Sequence, residues 1–98
     1  MDERPTLSIV LPVFNEAEVL RECLREIALE IDKAGVSFEI VCVDDGSSDA
    51  TTEIIEQASG DDPRIVAVYF SRNFGKEIAV AAGMRFATGD GVVVMDGD

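Results

Sequence analysis

Two aspartates stand one residue apart at the end of an apolar run, Val92-Val93-Val94-Met95-Asp96-Gly97-Asp98. Carboxylates are hard oxygen donors and select a divalent cation such as Mg²⁺ or Mn²⁺. An apolar strand that delivers Asp-x-Asp suits a metal held against a diphosphate. Gly97 lets the backbone come close to such a ligand. Asp-x-Asp alone is also a common chance pattern; placed here, Asp96 and Asp98 are expected to hold a metal or a ribose at the catalytic centre. The run has no outgoing element, so residues 1–98 are expected to be the donor-binding half of a larger enzyme, cut in mid-site.

Three other polar clusters follow apolar runs. Asp44 and Asp45 open Asp44-Asp45-Gly46-Ser47-Ser48-Asp49. Adjacent strand side chains point to opposite sides, so one acid can face a ligand while the other caps the turn. Such a carboxylate can accept the imide N–H of uracil or the amide of guanine. The plainer reading is an Asx-turn with a helix cap. Pro12-Val13-Phe14-Asn15-Glu16 can frame a flat slot for a base, with Glu16 facing the nucleoside; it also reads as an ordinary strand-to-helix turn. Ser71-Arg72-Asn73-Phe74-Gly75-Lys76-Glu77 sets Arg72 and Lys76 beside a helix start, an arrangement that suits a diphosphate or plain surface charge.

The elements that must position these groups alternate. Apolar runs at 7–13, 38–43, 65–70 and 92–95 read as buried strands. Between them lie helical patterns that open after Asn15, run 51–59, and run 76–87. Asn15 with Glu18 has the spacing of a capping box, and Gly35 suits a helix C-terminus. Gly60 to Pro63 reads as a turn. Met84 and Phe86 are expected to pack, and Gly83 to let its helix sit close on the sheet. Strands joined by helices of these lengths are parallel with right-handed crossovers. The expected fold class is α/β, a Rossmann-like open parallel sheet in the order βαβαβαβ. In such sheets ligands bind beyond the carboxyl ends of the strands, where all four clusters fall.

Composition narrows the function. The chain has 98 residues, 47% hydrophobic, with a formal net charge of −12. So acidic a chain does not suit nucleic acid, which needs a basic face. Most acids are expected on solvated helix surface, as with Glu18, Glu22, Glu26 and Glu30. There is no histidine, which excludes a Ser-His-Asp triad within these residues. Cys23 and Cys42 lack metal-ligand spacing and are expected to be buried apolar residues in a reducing compartment. The acidic start, Met1-Asp2-Glu3-Arg4, has no apolar h-region, and no run approaches the roughly 20 residues that span a bilayer. A cytoplasmic location is expected.

Taken together, Ser8-Ile9-Val10-Leu11-Pro12-Val13-Phe14-Asn15-Glu16, Val43-Asp44-Asp45-Gly46-Ser47-Ser48-Asp49, Arg72-Asn73-Phe74-Gly75-Lys76 and Met95-Asp96-Gly97-Asp98 resemble the family 2 inverting glycosyltransferases of the GT-A fold. The resemblance covers essentially the whole chain. Ser71 to Glu77 is most similar to the polyprenyl-phosphate branch, which includes dolichyl-phosphate mannosyltransferases and undecaprenyl-phosphate glucosyltransferases. Gly97 stands where the family commonly has Ala.

The resemblance implies that residues 1–98 are the nucleotide-sugar-binding half of a GT-A domain. Pro12, Phe14, Glu16 and Asp45 would contact the base and ribose of a UDP-glucose or GDP-mannose type donor, with Asp44 beside them. Arg72 and Lys76 would lie near the diphosphate or the acceptor phosphate. Asp98 would touch Mg²⁺ or Mn²⁺ more directly than Asp96. The whole enzyme would transfer a hexose with inversion to polyprenyl phosphate, at the cytoplasmic face of the membrane. The acceptor side would lie beyond Asp98. An exposed sheet edge would favour self-association into a homo-oligomer.

Three other readings compete. A nucleotidyltransferase would open with a Gly-rich basic loop that Pro12 to Glu16 lacks. A response-regulator receiver would carry paired acids after its first strand, and here they follow the second. A non-catalytic nucleotide-binding or assembly module is the alternative from another class.

Overall fold

A computed structural model describes residues 4–95. Asp96, Gly97 and Asp98 lie outside the described residues. Four strands alternate with three helices: β1 Leu7–Val13, α1 Ala17–Ala34, β2 Phe38–Asp44, α2 Thr51–Asp61, β3 Ile65–Tyr69, α3 Lys76–Phe86 and β4 Gly91–Val94. All pairings are parallel, and the sheet order is β3-β2-β1-β4. The chain winds outward from β1 to β3, then returns to the other side of β1. That reversal is a topological switch point, where open α/β sheets bind ligands.

Strand alternation builds two apolar layers. Ile9, Leu11, Val13, Ile40 and Cys42 face α1 and α2, meeting Leu20, Leu24, Ile27 and Ile55. Val10, Val41 and Val43 face the opposite way and meet Ala79 of α3. β1 and β2 are central and covered on both faces, which explains their unbroken apolar runs. Cys42 is buried, and burial pushes its thiol up to about 12, so it serves as packing volume. Cys23 is half-buried, and its thiol is raised by the same cause. Glu18, Glu22, Glu26 and Glu30 are all exposed, as expected of a solvated helix face.

Several local expectations are corrected. Asn15 does not cap α1 with a capping box. Glu16 occupies the cap position, without a side-chain cap bond, and Asn15 adopts φ 50°. The first N–H groups are satisfied from the neighbouring loop instead: Glu16 N–H donates to Thr51 Oγ1 (2.9 Å) and Ala17 N–H to Asp49 Oδ2 (3.3 Å). α2 continues through Gly60 to Asp61, where a turn was expected. Met84 and Phe86 do not pack; they are 52% and 56% exposed. α3 sits on the sheet through Ala79 and Gly83, one helical turn apart, which turns its other faces outward. A Cβ on Gly83 would lie 2.4 Å from Val10 Cγ1, so this close seat requires the missing side chain.

Candidate functional site

The carboxyl ends of β1 and β2 and the start of α3 enclose a cavity of about 380 Å³. Its walls include Pro12, Phe14, Glu16, Asp45, Asn73 and Lys76. Three clusters far apart in sequence thus meet at one rim. The volume falls within the range of small-ligand sites. A second hollow of about 670 Å³ lies at the other end of the strands, between Phe38, Glu39, Arg64 and Thr88. Its Arg64 is already paired with Asp32 and Asp62, and these bonds raise its pKa.

The two adjacent acids divide their work. Asp44 is 2% exposed, and its carboxylate accepts hydrogen bonds from Ser47 N–H (3.0 Å) and the Thr52 hydroxyl. It caps its own turn and is not part of the cavity wall. Asp45, 3% exposed, turns the other way, into the cavity wall. Its Oδ1 accepts Phe74 N–H (2.8 Å), and its Oδ2 accepts Gly75 N–H and Asn73 Nδ2 (both 3.1 Å). A carboxylate offers about four acceptor positions, so these three bonds leave about one for a ligand. Asp45 therefore also organises the loop between β3 and α3.

Gly46 completes that docking. Its φ is 73°, and a Cβ there would fall 2.1 Å from the Arg72 carbonyl carbon. No other residue allows this approach of the two loops. Lys76 lines the cavity, whereas the Arg72 guanidinium lies over the Phe74 ring at 4.7 Å and outside the wall. Phe74 in turn meets Phe70 edge-on at 5.5 Å.

Sequence reasoning placed Asn73 and Asn15 in the rim clusters but missed what each one holds. Asn73 reaches Asp45 at both its carboxylate and its carbonyl oxygen. Asn15 is a clasp: its Oδ1 accepts the N–H groups of Ser48 (2.8 Å) and Asp49 (3.3 Å), while its own N–H donates to Ser47 Oγ (2.9 Å). Asn tolerates positive φ better than other non-glycine residues, and that was the available signal. Asp49 accepts the Thr51 hydroxyl and N–H, and these bonds hold its carboxyl below the ordinary range.

Asp96 and Asp98 follow directly on β4. Met95 N–H bonds to the Val10 carbonyl (2.9 Å), so β4 runs beside β1 toward the rim that carries the cavity. Carboxylate side chains such as those of Asp96 and Asp98 have the donor chemistry for a hard divalent cation. Among the described residues, no group of three or more acidic or thiol side chains forms a metal cluster. Also among them, no helix is long and apolar enough to cross a membrane.

Residues 8–98 match the model of "Glycosyl transferase family 2". The chain belongs to that family. It is 43% identical over 91 residues to the uncharacterized glycosyltransferase YkcC of Bacillus subtilis, covering 93% of this chain and 28% of the relative. It is 43% identical over 93 residues to the undecaprenyl-phosphate 4-deoxy-4-formamido-L-arabinose transferase of Edwardsiella ictaluri, covering 94% of this chain and 29% of the relative. The chain thus spans less than a third of the length of these relatives.

The fold matches a mannosyltransferase from Pyrobaculum calidifontis, solved with GDP-Man and Mn²⁺, at TM-score 0.78 and 31% identity; the match covers 95% of this chain and 27% of that one. TarS of S. aureus, solved with UDP, matches at TM-score 0.77 and 25% identity over 95% of this chain and 27% of that one. The Rossmann-like, GT-A type sheet expected from the sequence is the fold observed.

Proposed function

We propose that the whole protein transfers a hexose from a nucleoside-diphosphate sugar to polyprenyl phosphate, with inversion. The carrying observation is the cavity that brings Phe14, Glu16, Asp45 and Lys76 together at the rim toward which β4 runs. Membership of family 2 and the undecaprenyl-phosphate relative support the reaction class and the acceptor. The mannosyltransferase solved with GDP-Man and Mn²⁺ supports a nucleotide-sugar donor and a divalent ion.

In this reading Pro12 and Phe14 flank the base, and Glu16 faces the ribose. Asp45 offers its remaining acceptor position to a base N–H, and Asp44 holds the turn behind it. Lys76 faces the diphosphate, and Arg72 stands at the outer edge for the donor or acceptor phosphate. Asp98 and Asp96 would hold Mg²⁺ or Mn²⁺, which when bound stabilises the charge of the departing nucleoside diphosphate. A phosphate with a second pKa of about 6 is largely ionised at neutral pH, so a lipid phosphate nucleophile needs no strong base. Action at the cytoplasmic face of the membrane and assembly as a homo-oligomer belong to the same proposal.

The test is transfer of labelled sugar from UDP-glucose or GDP-mannose to undecaprenyl phosphate by the whole protein with Mn²⁺. Lipid-extractable label is expected, with at least a hundredfold loss in D98N, the scale of removing one electrostatic stabiliser. Metal-dependent nucleotide binding without transfer, across donors and acceptors, would instead favour the non-catalytic module.

A further inference from the structure

Glu39 is a buried carboxylate that the site does not use. It lies on β2, 8% exposed, at the end of the sheet away from the cavity. Its Oε2 accepts three hydrogen bonds: from Ser8 Oγ (2.6 Å), Thr88 N–H (2.7 Å) and Thr88 Oγ1 (3.0 Å). Ser8 sits opposite Glu39 in the β1–β2 register and opposite Val92 in the β1–β4 register. Ser8 Oγ also accepts the N–H of Gly89 (2.8 Å). One carboxylate on β2 thus reaches across β1 and grips the turn that feeds β4.

Among the described residues, β4 and its turn are otherwise held by backbone bonds to residues 5–10 and by the exposed Arg4–Asp90 ion pair at 3.6 Å. β4 has four residues, all exposed, and β1 is its sole partner strand among the described residues. Parallel backbone bonds alone do not choose between registers, and a slip of one residue moves every side chain to the opposite face. Asp96 and Asp98 follow β4 in the sequence, so its register bears on where the chain delivers them. Gly89 shows how tight the grip is: a Cβ there would lie 2.7 Å from Ser8 Oγ and 2.8 Å from Ser8 N.

We propose that Glu39, with Ser8, Thr88 and Gly89, locks the register of β4 and is a positioning site for Asp96 and Asp98. Its link to the metal rests on the function proposed above; the lock itself does not.

The test compares wild type, Glu39→Gln and Glu39→Leu by amide hydrogen exchange. The reporters are Gly91 and Met95, whose N–H groups bond to Thr6 and Val10 carbonyls. The controls are Ile54 and Phe70, whose N–H groups bond to the Ala50 and Asp44 carbonyls, away from Glu39 and β4. Hydrogen bonds to a charged acceptor are the stronger kind, so the Gln variant should speed the reporters several-fold and the Leu variant about tenfold or more. The controls should stay within about twofold. Unchanged reporters in the Leu variant, or controls that speed up equally, would overturn the lock.

Binding of Mn²⁺ alone, followed by water-proton relaxation, forms a second arm. Weaker Mn²⁺ binding in the Leu variant is expected. Unchanged binding beside a loosened β4 would overturn the link to Asp96 and Asp98. A wild type that binds no Mn²⁺ would remove the proposed metal role, while the exchange arm still decides the lock.

Discussion

Asp45 carries two burdens with one carboxylate. Its three bonds to Asn73, Phe74 and Gly75 fix the loop that holds Lys76 against the cavity. Replacing it with Asn keeps the shape and removes one acceptor oxygen. The new amide nitrogen must then face the N–H of Phe74 or of Gly75, donor against donor. An unsatisfied buried donor costs about 1–3 kcal/mol. Asp45→Asn is therefore expected to lose about 2 kcal/mol in urea unfolding and to weaken nucleotide binding in calorimetry. Full stability in this variant would show that the loop does not depend on the carboxylate. Asp44 next door differs in kind: its partners, Ser47 and Thr52, belong to its own turn and helix. The opposite placement of the two acids was legible from strand alternation. The bonds from Asp45 to residues 73–75 were not, because nothing local ties the end of β2 to a loop some thirty residues on.

At the scale of elements, α3 owes its position to the absence of a side chain. Gly83 faces Val10 and Val43, and any Cβ there must displace Val10 Cγ1. Gly60 sits near the end of α2 with nothing within 4 Å of its Cβ direction. The same substitution should then act with opposite sign. Gly60→Ala gains up to about 1 kcal/mol of helix propensity. Gly83→Ala has the same gain to offset against about 1–3 kcal/mol of overpacking, and should be net destabilising. Thermal unfolding of the two variants decides this; two changes of the same sign would mean that α3 shifts without cost. The strands and their parallel order were legible because β1 and β2 are buried on both faces and leave long apolar runs. Helix starts were less so. The N-terminus of α1 is satisfied by Thr51 and Asp49 across a loop, a contact no local capping rule contains. Met84 and Phe86 misled for a related reason: apolar type predicts burial only where an element lies opposite.

The whole molecule is strongly acidic, with 20 carboxylate side chains against 8 basic ones. Two opposing effects follow on acidification. Protonating exposed carboxylates relieves self-repulsion and favours the compact state. Protonating carboxylates held in specific bonds removes stability. Asp49 is held below its ordinary value of 3.8 by the Thr51 hydroxyl and N–H, and Asp62 by the Arg64 guanidinium. A folded pKa below the unfolded one means that the unfolded chain binds more protons between the two values. The contribution is present in full above about pH 4 and is lost as pH falls through the depressed folded values. The urea midpoint is thus expected to hold level or rise slightly from pH 7 to 5 and to fall below about pH 4. Asp62→Asn should flatten that acid fall and cost less than about 1 kcal/mol at neutral pH, since its partner is at the surface. Added salt should raise the midpoint at pH 7 by screening the net charge. A midpoint that climbs steadily down to pH 3 would mean that repulsion outweighs these bonds, and that the Asp49 and Asp62 contacts do not hold the fold.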